Sequence, residues 1–427
     1  MQIILFYFLI FTFWLEQALN FKLTYIKGMS LMNLSIFMLL LFWAFKIVQK
    51  RKIFEPCNIN KYIFLLIYVA GISIFLKIIY REVASVSLID EIISLKNWSN
   101  PLMLFVIIYN TIEDETDCRK ALLGLIFLLF ACVLTTQLFI TGVIPQLGGK
   151  VYKMGRASGF VEPNQYASYL VLFIPVVITF LLNAKRMVIK ALISIFLFFI
   201  LFDLMATGSR GGFVSFLFSL SVYFFLIFRA GIIRFSRVFL LIVVFVSIGY
   251  GSLLWTQSQM DSTVIDRLSK ENSLSLDSYT SGRIGILTEG LSQFVKKPIF
   301  GHGNDMFGHL MKKELGKSWN SHNDYLFHLV NYGLVGFTVF IILYISTFRH
   351  VYVGLKNTAD EWLKKMYISY LAGGAGYAMS MMFVNLFSPR YVFWVFTAII
   401  YRIIQQNSAN MNSLKTQPLC QESTEIV

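Results

Sequence analysis

The sequence predicts an all-α polytopic membrane protein, and three observations support this fold class. Apolar residues make up 57% of the 427 residues and charged residues only 14%, whereas a soluble domain carries about 25% charged residues. Apolar runs close to the roughly 20 residues that cross a bilayer recur along the chain. One long polar stretch, 257–321, interrupts the series of apolar runs. Because lipid offers the backbone no hydrogen-bond partners, such runs are expected to be helices.

About 12 apolar runs are long enough to be transmembrane helices. The first lacks a basic segment and a small-residue cleavage site, so we expect a helix and not a cleaved signal peptide. The fourth is the least regular because Lys96 and Pro101 interrupt it. The predicted spans are 3–19, 29–48, 62–80, 92–112, 120–141, 165–183, 188–207, 210–228, 237–256, 322–347, 363–386 and 389–404.

The distribution of Lys and Arg predicts the orientation of these spans. They are more frequent in the short loops of one side, and this places the N-terminus in the cytoplasm. The stretch 257–321 then forms one long outer loop between the ninth and tenth spans. Residues 1–405 form a single transmembrane domain, and the polar segment 406–427 is predicted to be a disordered cytoplasmic tail.

Charge and cysteine usage exclude several function classes. The net charge of +14 is interpreted as a topology signal, because no basic, aromatic-interleaved soluble module is present that would bind nucleic acid. Three cysteines fall in cytoplasmic segments and Cys132 lies within a span, so no disulfide framework is expected. No spacing of His and Cys suggests a metal site, and neither a metal nor a cofactor is predicted.

Part of the outer loop has helical periodicity. Apolar residues recur on one helical face between 283 and 297, at Ile284, Leu287, Leu291, Phe294 and Val295. This predicts a helix near 283–297 that lies on the membrane surface or packs on the outer ends of the spans. Either arrangement places Arg283 at the start of the helix, where backbone N–H groups favour an anion.

Four arginines occupy short turns at the outer face. Arg156, Arg210 and Arg283 lie beside glycine or serine, and Arg390 follows Ser388-Pro389. An arginine within the bilayer costs about 2.5–3.5 kcal/mol, so such residues have an anionic partner or a function. Because the guanidinium fork matches phosphate oxygens, arginines that converge outside the membrane would suit a diphosphate. The alternative for each is that it reaches lipid headgroups or pairs with a carboxylate.

His322 begins the tenth predicted span, with Ser321 as a plausible N-cap. The helix dipole disfavours the cationic imidazole at this end of a helix. His322 is therefore a candidate general base, since such a base must be neutral near pH 7. The alternative is a capping or interfacial histidine. His302, between two glycines, is interpreted as a turn residue.

Jointly, these motifs resemble the O-antigen ligase/polymerase family of bacterial membrane glycosyltransferases. The resemblance rests on 281–283 (SGR), 297–303 (KPIFGHG), 321–325 (SHNDY) and 332–336 (YGLVG). The segment 207–211 (TGSRG) is similar to the second arginine motif of the family, and 156–164 (RASGFVEPN) is similar to a turn found in many members. The likeness runs from about residue 155 to 340, and the first five spans match in character only.

The resemblance implies an enzyme in the bacterial inner membrane whose active site faces the periplasm. Its donor would be an oligosaccharide on undecaprenyl diphosphate, and its acceptor a lipid-linked repeat or lipid A–core. Carried over by position, Arg210 and Arg283 would bind the diphosphate and His322 would accept the proton of the attacking hydroxyl. Arg156, Arg390 and Asn323 are further candidates for diphosphate binding. Family chemistry is metal-independent and inverts the anomeric centre, and membrane lipids and a chain-length regulator are expected partners.

Within the family we favour a polymerase of O-antigen or related polysaccharide repeats, with an O-antigen ligase as the alternative. A secondary transporter is a candidate from another class, but it would place charged residues near the bilayer midplane. Charges within the spans are scarce here, and polar residues collect at the outer face instead. A non-catalytic scaffold of a polysaccharide assembly complex is a third possibility.

Overall fold

The computed structural model describes residues 1–18, 30–50, 54–55, 57–79, 88–143, 152–153, 156–159, 162–232 and 283–416. Its helices are α1 (Gln2–Ala18), α2 (Leu31–Lys50), α3 (Asn60–Ile79), α4 (Leu88–Thr111), α5 (Glu115–Ile140), α6 (Pro163–Asn183), α7 (Met187–Ala206), α8 (Arg210–Arg229), α9 (Arg283–Lys296), α10 (Phe307–Leu315), α11 (Asp324–Asn357), α12 (Glu361–Ser380) and α13 (Pro389–Thr416). Two short antiparallel strands, β1 (Tyr152–Lys153) and β2 (Arg156–Ala157), connect α5 to α6.

The predicted fold class, an all-α polytopic membrane protein, is confirmed. Within the described ranges, eight helices are long and apolar enough to span a membrane, namely α2 to α8 and α11. Helix α1 is apolar but shorter. The runs predicted at 363–386 and 389–404 form α12 and α13, which are not among these eight. The span predicted at 237–256 lies outside the described residues.

The centre of the bundle is formed by α6, α8 and α12, which pack against one another. Small residues on α12 allow this close approach. A Cβ added at Gly373 would lie 2.1 Å from the carbonyl oxygen of Leu172 on α6, and one at Gly376 would lie 2.6 Å from the Cβ of Ser219 on α8. Lys364 and Lys365 near the start of α12 lower its hydropathy, and the glycines add little to it, which is why this buried helix is missing from the most apolar set.

Helix α11 is broken at Gly333, where the backbone adopts φ 63° and ψ −165°. The break separates Leu334 N and Val335 N from the carbonyls four residues earlier, those of Val330 and Asn331. These N–H groups and carbonyls form hydrogen bonds instead with the backbone of the adjacent segment 298–303. Leu334 N donates to Pro298 O (2.8 Å), Val335 N to Ile299 O (3.1 Å), His302 N to Val330 O (3.0 Å) and Gly303 N to Asn331 O (2.9 Å).

The glycines of this contact allow two backbones to touch. A Cβ added at Gly333 would lie 2.3 Å from Ile299 O, and one at Gly301 would lie 2.5 Å from Asn331 O. The motifs KPIFGHG and YGLVG therefore form one structural unit, in which the loop supplies the hydrogen bonds that the broken helix lacks. This unit attaches the segment before α11 firmly to the bundle.

Two of the differences between observed and predicted boundaries concern the candidate site and the C-terminal tail. Helix α11 begins at Asp324, and Asn323 is its N-cap, accepting from Leu326 N at 3.0 Å. The prediction that the helix begins at His322 with Ser321 as cap is therefore wrong by two residues. Helix α13 continues to Thr416, so the part of the predicted disordered tail from 406 to 416 is helical. Residues 417–427, and 257–282 of the outer loop, lie outside the described residues.

Candidate active site

The helix ends that the predicted topology places outside are joined by hydrogen bonds. Ser388 N donates to Gln165 Oε1 at 3.2 Å, and Ser388 Oγ donates to Gln17 Oε1 at 3.1 Å. The turn before α13 is thereby tied to the first turn of α6 and to the end of α1. The predicted site residues lie on other turns of this same end of the bundle.

His322 lies on a turn that is fixed on both sides. Asn385 Nδ2 donates to Ser321 Oγ at 2.7 Å, and Asp324 N donates to Met381 O at 2.8 Å. His322 itself has φ 47°, and Asp305 is the other residue besides glycine with a positive φ in the described part of the chain. Such conformations are costly for a residue with a Cβ and are concentrated at functional sites.

Asp324 and Arg390 form a buried ion pair next to this turn. Arg390 Nη2 lies 3.2 Å from Asp324 Oδ1, and the two side chains are 8% and 2% exposed. Asn385 Nδ2 donates to the same oxygen at 3.2 Å, and Leu386 N donates to Oδ2 at 3.1 Å. Arg390 therefore pairs with a carboxylate, which was one of the alternatives to an anionic ligand. This pair holds Asp324, two residues after His322, in place.

Arg283 is brought to His322 by the packing of α9 on α11. A Cβ added at Gly290 of α9 would lie 2.8 Å from Leu326 Cδ2 on the first turn of α11, so the two helices touch there. Burial lowers the pKa of His322 below its usual value of 6.5, and the nearby positive charge of Arg283 lowers that pKa further. His322 is therefore neutral near pH 7, as a general base must be.

Arg210 is the first residue of α8, where Ser209 caps the helix by accepting from Gly212 N at 3.1 Å. A Cβ added at Gly211 would lie 2.5 Å from the Cβ of Phe383, so this turn packs against the turn between α12 and α13. That second turn also carries Asn385, which binds Ser321. Arg210 is thus connected to the His322 turn through residues of 381–386.

Arg156 lies on β2 and joins two other turns. Its Nε donates to the carbonyl of Thr207 at 2.6 Å, and its Nη2 donates to Asn164 Oδ1 at 3.2 Å. Arg156 thereby joins the first turn of α6 to the TGSRG turn that carries Arg210.

The sequence alone gave no role to several residues that anchor this end of the bundle. Asp203 is buried near the end of α7, where it accepts hydrogen bonds from Tyr166 Oη and Gln137 Nε2, each at 2.5 Å. Asn385 and Asp324 were not singled out as anchors of the His322 turn. A buried acid at the end of an apolar run was a visible signal for Asp203, whereas the partners of Asp324 are more than 60 positions away.

His302 and Asn323 have local structural contacts. His302 is buried, its Nε2 lies 2.8 Å from Gln293 O, and burial lowers its pKa. Asn323 uses its side-chain oxygen to cap α11. Among the described residues, no three His, Cys, Asp or Glu side chains are placed to hold a metal ion.

Comparison with known proteins finds one family. Residues 194–341 match the family model described as O-antigen ligase. The matched segment runs from α7 into α11 and contains Arg210, Arg283 and His322, whereas Arg156 and Arg390 lie outside it. A search of curated proteins finds no match to the chain.

Proposed function

We propose, from the match of residues 194–341 to the family model described as O-antigen ligase, that this multi-pass membrane protein polymerises surface polysaccharide repeats. The family implies glycosyl transfer of the O-antigen ligase or polymerase type and substrates that include lipid-linked polysaccharide. The donor in this proposal is a glycan on undecaprenyl diphosphate, and the acceptor is a sugar hydroxyl of a second lipid-linked repeat. The reaction takes place on the periplasmic face of the inner membrane.

In the proposed reaction, His322 is the general base. Its neutral ring accepts the proton of the acceptor hydroxyl while the oxygen forms a bond to the anomeric carbon. The bond from that carbon to the diphosphate oxygen breaks, and its electron pair leaves with the diphosphate. A single displacement of this kind inverts the anomeric centre. The observation that most supports the assignment is the strained His322 turn beside Arg283.

Arg210 and Arg283 are proposed to bind the diphosphate and to stabilise the charge that develops on it. Removing one preorganised donor that is aimed at charge developing in a transition state costs about 2.7–4 kcal/mol. Two guanidinium groups supply the positive charge that stabilises the leaving diphosphate without a metal ion. We therefore expect EDTA to leave the activity of the purified protein unchanged. A chain-length regulator is a proposed further partner.

The test is glycan transfer by His322→Ala in a strain that lacks the wild-type gene. We expect normal protein levels and no polymer, because the acceptor hydroxyl has lost its base. His309→Ala is the control, since His309 is an exposed histidine on α10. Wild-type polymer from His322→Ala would contradict the assignment.

An O-antigen ligase is the second candidate, because the matched family model is described by that activity. A ligase transfers the finished chain to lipid A–core. The two reactions leave different products in a deletion strain. A lipopolysaccharide core that bears a single repeat identifies a polymerase, and long chains that remain on the lipid carrier identify a ligase.

A further inference from the structure

A cavity of about 560 Å³ opens at the end of the bundle that carries Arg390. The cavity lies between the ends of α1, α2 and α4, residues 304–305 and the turn before α13. Its volume falls in the range of small-molecule binding sites, which is about 300–1,000 Å³. Arg390 lines the cavity, and it is ion-paired with Asp324, two residues after His322. The Arg390–Asp324 ion pair therefore connects the cavity to the turn of the proposed general base, and the cavity is lined by residues that the proposed mechanism does not use directly.

The chemistry of the lining is that of a carbohydrate site. Asn33, Asn97 and Asp305 bring amide and carboxylate groups to the cavity, and Trp98 and Tyr391 bring aromatic rings. Amides and carboxylates bind sugar hydroxyls by hydrogen bonds, and aromatic faces pack against the apolar faces of sugar rings. The lining also includes apolar side chains, so the cavity offers both kinds of contact that a sugar ring makes.

The wall that carries Asp305 is held rigidly. Asn304 Nδ2 donates to Ser94 Oγ at 2.9 Å, and Asn304 Oδ1 accepts from Tyr332 Oη at 2.6 Å. Lys77 Nζ lies 3.3 Å from Asn304 O and forms a buried ion pair with Glu91 at 2.7 Å. The loop is thus tied to α3, α4 and α11 immediately before Asp305.

Asp305 is held in a conformation that is costly for its residue type. Its φ is 56°, and within the described residues only His322 shares a positive φ among residues other than glycine. The side chain is exposed at the cavity, although the residue before it is buried. A strained backbone that presents a carboxylate to a polar cavity indicates a functional position more than a structural one.

The charges of the lining disfavour a diphosphate or an acidic sugar. Arg390 is the one cationic side chain among the described lining residues, and Asp324 already neutralises it. Asp90 and Asp305 are carboxylates of the same lining. An anionic ligand would be repelled by these groups, whereas neutral hydroxyls or an amino group would be attracted.

We propose that this cavity binds a neutral or amine-bearing saccharide unit of the acceptor glycan, with Asp305 as a hydrogen-bond acceptor for its polar groups. The proposal rests on the proposed function, since it assigns the acceptor of that same reaction. Binding there would place the acceptor beside the turn that carries His322. Asp305 is a substrate-binding residue in this assignment and takes no part in proton transfer.

The test is binding of the host strain's own glycan, released from its lipid by mild acid, to the full-length protein in nanodiscs. Calorimetry should detect binding to the wild type and at least about tenfold weaker binding to Asp305→Asn, because a hydrogen bond to a charged group is lost. Asparagine tolerates a positive φ, so this variant keeps the fold. The control is Glu314→Gln, an exposed acid on α10 outside the cavity, which should bind as the wild type does.

A second measurement separates this proposal from the proposed function. In glycan transfer, Asp305→Asn should raise the KM for the acceptor about tenfold with little change in kcat, whereas His322→Ala should abolish kcat and still bind the released glycan. Unchanged binding by Asp305→Asn, no binding by the wild type, or tighter binding of an acidic glycan would each overturn the cavity assignment. Glycan binding that depends on Asp305 in a protein without transferase activity would retain the cavity as a saccharide site and reject the proposed function.

Discussion

Replacing Arg390 by Met removes the cation of a buried ion pair and leaves Asp324 without its charge partner. The two side chains are 8% and 2% exposed, so water cannot replace the guanidinium. Breaking one side of such a pair costs about 3–5 kcal/mol, because an uncompensated buried charge remains. We expect Arg390→Met to lower the free energy of unfolding by about that amount, measured by tryptophan fluorescence in mixed SDS micelles.

The matched control is Arg119→Met, which breaks an ion pair of the same residue class at the surface. Arg119 and Glu115 are 51% and 45% exposed, and the guanidinium also lies 4.7 Å from the ring centroid of Trp362. The loss of both contacts should cost only about 1 kcal/mol. The contrast between the two variants isolates the contribution of burial.

The double variant Arg390→Met/Asp324→Asn tests the cause. Asparagine carries no charge and keeps one oxygen that can accept from Leu386 N, so the double variant should regain most of the lost stability. A cost for Arg390→Met equal to that of Arg119→Met would refute the reasoning, and so would a double variant that is less stable than Arg390→Met.

The remaining predictions concern the backbone break and the proposed diphosphate residues. Gly333→Ala should lower the free energy of unfolding by more than about 1–3 kcal/mol, since its Cβ would lie 2.3 Å from Ile299 O at φ 63°. The control is Gly71→Ala, whose Cβ would meet nothing within 4 Å. Equal unfolding midpoints for the two variants would contradict the close backbone contact at Gly333. Arg210→Lys should lower transfer by about 10²–10³-fold because the planar fork is lost, and full activity would argue against a bidentate contact. Because the pKa of His322 is lowered, wild-type activity should fall only below pH 6.5. Arg283→Gln removes a charge that lowers this pKa, so the acid limb of its pH–activity profile should move to higher pH, whereas Arg283→Lys keeps the charge and should leave the limb in place. Identical pH profiles for both variants would exclude an effect of Arg283 on the pKa of His322.

Composition and hydropathy were sufficient for the fold class, because lipid leaves helices as the only solution for repeated apolar runs of this length. The periodicity between 283 and 297 indicated a helix where α9 lies. The break in α11 was not predictable, because YGLVG reads as apolar helix and single glycines occur in helices. Its cause is the segment 298–303, and long-range pairing of this kind leaves no periodic signal in one sequence.

The candidate site was visible from the sequence only as separate motifs. Ser321 and Asn323 are equally good N-caps by residue type, and the choice between them depends on Asn385, which binds Ser321. Arg390 was identified as an unusual arginine, but its partner is 66 positions earlier in the chain. Local chemistry therefore predicted which residues are unusual, and the fold determines which of them meet.

The break at Gly333 has a consequence for the spacing of substrates. The first turns of α11 are fastened to the segment 298–303 by four backbone hydrogen bonds, and that segment continues directly into Asn304 and Asp305. The turn that carries His322 continues into α11, and the segment that carries Asp305 is hydrogen-bonded to α11. A displacement of α11 would therefore move both residues together. Under the proposed function, an acceptor bound by Asp305 would therefore always meet the proposed base at the same distance.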